Sequence, residues 1–191
     1  MKLKAKSYKL KAVNMSGHSK WKQIQHKKGA ADLKRGRIFS KLLRAISIAA
    51  KTEPNPQFNP RLRSAIEKAK ENNVPADNIE RAVSKASEQK NLEDVTIEAY
   101  GPEGAALIIQ AITDNTNRTV NEIRNILNER GAKMATPGSV LWAFNAQTAG
   151  GQEYAAKFPQ PISDQAKEQL QKLIDALEEN EDVQKVFTNC S

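Results

Sequence analysis

The chain has a single cysteine, Cys190, among its 191 residues. A disulfide framework is thereby excluded, a thiolate metal site has no second sulfur, and a reducing compartment is expected. Aromatic residues make up only 5% of the chain, and no apolar run approaches the length needed to cross a bilayer. Residues 1–14, MKLKAKSYKLKAVN, are rich in lysine. They lack the apolar segment and cleavage site of a secretory signal, and the arginine bias of a transit peptide. A cytoplasmic protein without a membrane partner is expected. Negative charge is scarce at the start: residues 1–51 hold fifteen Lys or Arg and one acid, Asp32. The remaining 140 residues hold fifteen bases and twenty-one acids, so the net charge of +8 conceals a basic head on a mildly acidic body. That division suggests a polyanion-binding module attached to a separately folded part.

The head is densest over residues 17–51, GHSKWKQIQHKKGAADLKRGRIFSKLLRAISIAAK. Like charges this close repel one another unless they face salt or a polyanion. Lys20, Lys22, Lys27, Lys28, Lys34, Arg35, Arg37, Lys41 and Arg44 are candidates to neutralise phosphates and release counterions. His18, Trp21 and His26 lie among them and offer rings on which a base could stack. Trp21 and Ile24 are also spaced to share a helical face, so Trp21 serves equally well as a small core anchor. A plain solubilising surface is the alternative for the whole cluster.

Enzymatic chemistry finds no site. His18 and His26 stand eight apart without acidic or cysteine partners, which matches no common metal spacing. Gly101-Pro-Glu-Gly104 is too short to cradle a phosphate and reads as a turn. Ser16, Ser19 and Ser40 lack an identifiable His–Asp partnership. We therefore expect no enzyme, metal, cofactor or small-molecule substrate. Asp114-Asn-Thr-Asn-Arg-Thr119 joins a strand to a helix N-terminus, where N–H groups and the helix dipole favour an anion. Asn115, Asn117 and Arg118 are candidate contacts there. The alternative is local: Asn117 caps the helix and Arg118 pairs with Asp114 or Glu122.

Hydrophobic periodicity organises the chain into three parts. Residues 1–36 form a basic arm expected to be largely irregular, with at most a helical turn over Trp21–His26. Residues 37–87 form a small three-helix domain: Ile38–Ala50, then a helix opened by Asn59-Pro60, then one capped by Asp77. Residues 93–189 change period. Val95–Ala99 and Ala105–Ile112 read as a hairpin, residues 117–130 as a helix, Val140–Phe144 as a strand, Glu153–Phe158 as a weak strand, Asp164–Glu179 as a helix, and Asp182–Phe187 as a strand. The expected class is α+β, with a ferredoxin-like β-α-β-β-α-β domain preceded by an extra strand.

Four stretches together resemble the YebC family: GHSKW with HKKGAADLKRGRIFSKLLRAI, NPRLRSAIEKAKENNVPADNIERAV (59–83), YGPEGAALIIQAITDNTNRT (100–119) and GSVLWAF (138–144). The likeness covers residues 15–144 continuously and 163–189 more loosely. Members are usually assigned as bacterial transcriptional regulators, and their organellar relatives are translational activators of cytochrome c oxidase. Members typically begin near Met15, so residues 1–14 read as an upstream start or a basic arm. The resemblance also implies a third domain inserted after the strand matching Val140–Phe144. Here NAQTAGG leads directly to the final strand, helix and strand, which reads as a compact variant without the insert. The expected function is a DNA-binding transcriptional regulator; the alternative is a ribosome-associated translation factor on ribosomal or transfer RNA.

Overall fold

The computed structural model describes residues 17–88, 91–147 and 153–190, with side chains from residue 32 onward except at 147. The chain divides into two compact units, residues 1–36 and 37–191. One helix, α1 (Gly17–Ala50), crosses that division in sequence. All packing below belongs to the second unit.

α1 contains no proline, and its abundant Ala, Lys, Arg, Gln and Leu are strong helix formers. This corrects the irregular arm expected up to residue 36. Gly29 and Gly36 weaken a helix by only about 1 kcal/mol each relative to alanine, and propensity prevails over the lack of an apolar stripe. The expected helical turn at Trp21–His26 is part of this longer helix. α2 (Pro60–Glu71) follows, with the Asn59 carboxamide oxygen accepting from the Leu62 N–H. The Asn59 amide group also donates to the Ala49 and Glu53 carbonyls, tying the end of α1 to the start of α2. Asn73, at φ +60°, ends that helix in the left-handed region. α3 (Ala76–Ser84) is entered through Pro75, so Asp77 lies in its first turn and is not the cap expected from sequence. Ile46, Ala49, Leu62, Ala69, Val74 and Ile79 form the core of these helices.

The remaining elements are β1 (Glu93–Tyr100), β2 (Ala106–Thr113), α4 (Thr116–Glu129), β3 (Lys133–Met134), β4 (Phe144–Gln147), β5 (Glu153–Ala156), α5 (Asp164–Glu179) and β6 (Val183–Thr188). Four strands form an antiparallel sheet in the order β3-β1-β2-β6. β2 sits centrally, and its run ALIIQAIT is buried on both faces, as a near-continuous apolar strand should be. Leu107, Ile109 and Ala111 face Ile123 and Leu127 of α4 and Leu170, Leu173 and Leu177 of α5. The opposite face carries two smaller clusters. Ala106, Ile108 and Phe187 meet Val140, Ala143, Phe144 and Tyr154. Ile112 meets Ile48, Leu92 and Ala45, which seats the end of α1 on the sheet.

The class is α+β, but the strand pairing departs from the ferredoxin-like arrangement. That arrangement would place the segments around 140–144 and 153–158 in the main sheet. β1 and β2 pair along their whole length, as the hairpin reading expected, but β4 and β5 form a separate hairpin outside the main sheet. The expected strand Val140–Phe144 is also corrected: Leu141–Ala143 is a 3-10 turn, and the strand starts at Phe144.

Candidate nucleic-acid interface

The predicted contacts His18, Lys20, Trp21, Lys22, His26, Lys27 and Lys28 all lie on α1, in the part where only the backbone is described. Within the first unit, residues 17–36 are helical throughout, so at about 1.5 Å per residue their bases are spread over about 30 Å. Lys34, Arg35 and Arg37 are exposed.

Lys41 and Arg44 turn to the body of the protein. The Lys41 ammonium donates to the Glu178 carbonyl, and Arg44 Nη1 donates to the Glu181 carbonyl at 3.0 Å. Burial holds the Lys41 pKa below the usual lysine value, with Arg37 and Arg44 adding to the effect and Glu178 opposing it. Arg44 also pairs with Asp182 Oδ1. Arg118 reaches the same carboxylate from α4, with Nη2 2.9 Å from Oδ2, and the Thr119 hydroxyl donates to Oδ2 at 2.6 Å. Two arginines predicted independently as phosphate contacts thus converge on one acid.

Asp182 has a side chain only 5% exposed. Burial pushes its pKa up, but the Thr119 hydroxyl, Arg118 and Arg44 together outweigh that and hold it below the usual carboxylate value. Arg118 also meets Asp114 at 2.9 Å and Glu122 at 3.8 Å. Its pKa is raised above the ordinary arginine value, chiefly by Asp182. Asn115, not Asn117, caps α4: its side-chain oxygen accepts from the Arg118 N–H at 3.1 Å. Asn117 lies exposed in the first turn. The loop therefore makes the local pairs that the capping alternative named for Arg118.

A second feature was not picked out from the sequence. Glu98, 5% exposed, projects from β1 on the face opposite α4 and α5. Its carboxylate accepts from the Gly138 N–H, the Val140 N–H at 2.6 Å and the Leu141 N–H at 3.1 Å. Gly138 has φ +88°, which a side chain would resist. The loop so anchored presents Trp142, 63% exposed, beside Phe158, 51% exposed, with ring centroids 5.8 Å apart. A strand through Val140, Trp142 and Phe144 would have buried all three on one face. The 3-10 turn buries Val140 and Phe144 and turns Trp142 outward.

This fold and charge distribution define a small α+β protein with a basic helix at its N-terminal end. The chain belongs to the TACO1/YebC family. Residues 19–89 match the family model described as TACO1/YebC protein N-terminal domain, and residues 92–151 and 147–190 match TACO1/YebC second and third domain. A "Probable transcriptional regulatory protein" of Desulfosudis oleivorans is 39% identical over 238 positions, covering 93% of this chain and 97% of that one. The alignment is longer than this chain, so the relative has a segment without a counterpart here, and the two matched pieces of the second model meet at 147–151. A relative of the same description from Koribacter versatilis is 51% identical over 133 residues, covering 68% of this chain but only 54% of its own length. Among solved structures, the conserved hypothetical protein Aq1575 from Aquifex aeolicus superposes with a TM-score of 0.76 at 30% identity. That match covers 84% of this chain and 91% of the other.

Proposed function

We propose that this protein is a non-enzymatic, cytoplasmic regulator of gene expression that binds nucleic acid through α1. One observation carries the reading: ten Lys or Arg stand against a single acid over residues 17–51, and nine of the ten fall within α1 (Gly17–Ala50). Bases clustered on helical backbone suit a phosphate backbone, because each neutralised phosphate releases counterions. Such contacts position the protein and carry little sequence information. Among the described side chains of α1, Lys34, Arg35 and Arg37 are exposed. Lys41, Arg44 and Arg118 act in this reading as struts that hold the helix end to the body. Their charges are already shared with backbone carbonyls and carboxylates.

The target named first is DNA, since the bacterial relatives carry the description of transcriptional regulators. A second reading places the helix on ribosomal or transfer RNA as a translation factor. The exposed aromatic pair Trp142 and Phe158 favours it, because unpaired bases are far more accessible in folded RNA than in duplex DNA. Ultraviolet crosslinking in cells, denaturing purification and nuclease digestion test the proposal. Attached DNA supports the first target and attached RNA the second. Recovery of neither would refute nucleic-acid binding in the cell.

A further inference from the structure

We infer that Trp142 and Phe158, with Tyr100 and Lys157 beside them, form a platform on which unpaired bases of RNA stack. This inference rests on the nucleic-acid reading above but uses a different surface. Large aromatic side chains left open to water suggest a site for a partner, and the surroundings of these rings indicate which partner.

The rings are held in place before any ligand arrives. The Ser139 carbonyl accepts from the Trp142 indole N–H at 2.7 Å and from the Tyr100 hydroxyl at 2.9 Å. The Ala143 carbonyl accepts from the N–H groups of Lys157, at 2.8 Å, and Phe158, at 3.3 Å. The Asn189 amide group donates to the Phe158 carbonyl at 3.1 Å. Beneath them the Glu98 carboxylate fixes the 138–141 loop. With its N–H satisfied internally, the indole has its faces left for stacking. Rings locked in this way lose little freedom when a base settles on them.

Charge identifies the occupant. The Lys157 ammonium lies 5.2 Å from the centroid of the Phe158 ring. Lys133 is exposed and pairs in register with Tyr100, so the two side chains share a face of the sheet. Rings bordered by cations suit bases linked by phosphates, with stacking and backbone attraction acting together. An apolar protein partner would require those ammonium groups to be desolvated without a counter-charge.

The test compares the full-length protein with Trp142→Ala and Trp142→Phe by fluorescence anisotropy. The probes are an unstructured 12-nucleotide oligouridylate, the matching oligothymidylate and an RNA duplex of equal length, each at several salt concentrations. Trp142→Ala should weaken oligouridylate binding by at least about five-fold, as expected for losing one stacked base. Duplex affinity and the salt slopes for all three probes should stay unchanged, and Trp142→Phe should recover most of the loss. Urea midpoints equal to wild type would exclude unfolding as the cause. Unaltered oligouridylate binding by Trp142→Ala would overturn the inference while leaving the role of α1 intact. Tighter, Trp142-dependent binding of oligothymidylate would overturn the assignment to RNA. A wild-type dimer dissolved by Trp142→Ala in sedimentation would assign the rings to self-association instead. A wild-type protein that binds none of the three probes would overturn this inference, and failure to bind a DNA duplex as well would refute the nucleic-acid reading itself.

Discussion

Replacing Asp182 by alanine should destabilise the protein well beyond an ordinary surface substitution. The carboxylate joins three elements that are distant in sequence: Arg44 of α1, and Arg118 and Thr119 of α4, all meeting at the start of β6. Thr119 is fully buried, and its hydroxyl lies 2.6 Å from the carboxylate. Losing a hydrogen bond to a charged group costs about 1.5–3 kcal/mol. The hydroxyl keeps Thr113 at 2.8 Å and the Asn115 carbonyl at 3.2 Å, which moderates the loss. The side chains of Arg44 and Arg118 are 30% and 44% exposed and can rehydrate, so their separation adds little. We expect about 2–3 kcal/mol for Asp182→Ala, and about half of that for Asp182→Asn, whose amide oxygen can still accept from Thr119. Urea unfolding followed by circular dichroism reads both values, as a lower midpoint at unchanged slope. The pH dependence gives a second signature. The pKa of Asp182 is lower folded than unfolded, so its contribution is present above the unfolded carboxyl pKa, about 3.9. That contribution disappears as pH falls through the folded value. Asp182→Asn should therefore lose stability less steeply than wild type below about pH 4. A change under about 0.5 kcal/mol for Asp182→Ala would refute the view that this acid ties the helices to the sheet.

Further outcomes follow from the same contacts. Asn59→Ala should cost about 2 kcal/mol by thermal or urea unfolding, since it removes the α2 cap and both ties to the end of α1. Asn115→Ala, which removes the α4 cap alone, should cost about 1 kcal/mol in the same assay. Glu98→Gln should cost about 1.5–3 kcal/mol and alter Trp142 fluorescence, because an amide cannot accept all three loop N–H groups.

Much of the architecture was legible in the sequence because it is written in local chemistry. Asn59-Pro60 marked the start of α2, and hydrophobic periodicity marked α5 over Asp164–Glu179. The β1–β2 hairpin was legible too, but pairing between more distant segments was not. β1 and β2 each looked like a strand, yet nothing in either fixes which neighbour lies on the far side of β1, where only the two residues of β3 pair. The rotation of Trp142 out of the core was hidden as well. Val140, Trp142 and Phe144 alternate as a strand would, and only the tertiary bonds from Glu98 bend the loop into a turn. The destinations of Arg44 and Arg118 escaped for the same reason. Their shared partner, Asp182, lies far along the chain from both.

The most direct test of the central claim is the salt dependence of binding to a duplex, for wild type and for a variant with Lys27, Lys28, Arg35 and Arg37 all replaced by alanine. If α1 supplies the phosphate contacts, the variant binds more weakly and log K falls less steeply with log salt. Each lost contact should reduce the slope by about 0.9, so four should reduce it by about 3.6. Unchanged affinity and slope would place the interface elsewhere and contradict the role assigned to this helix.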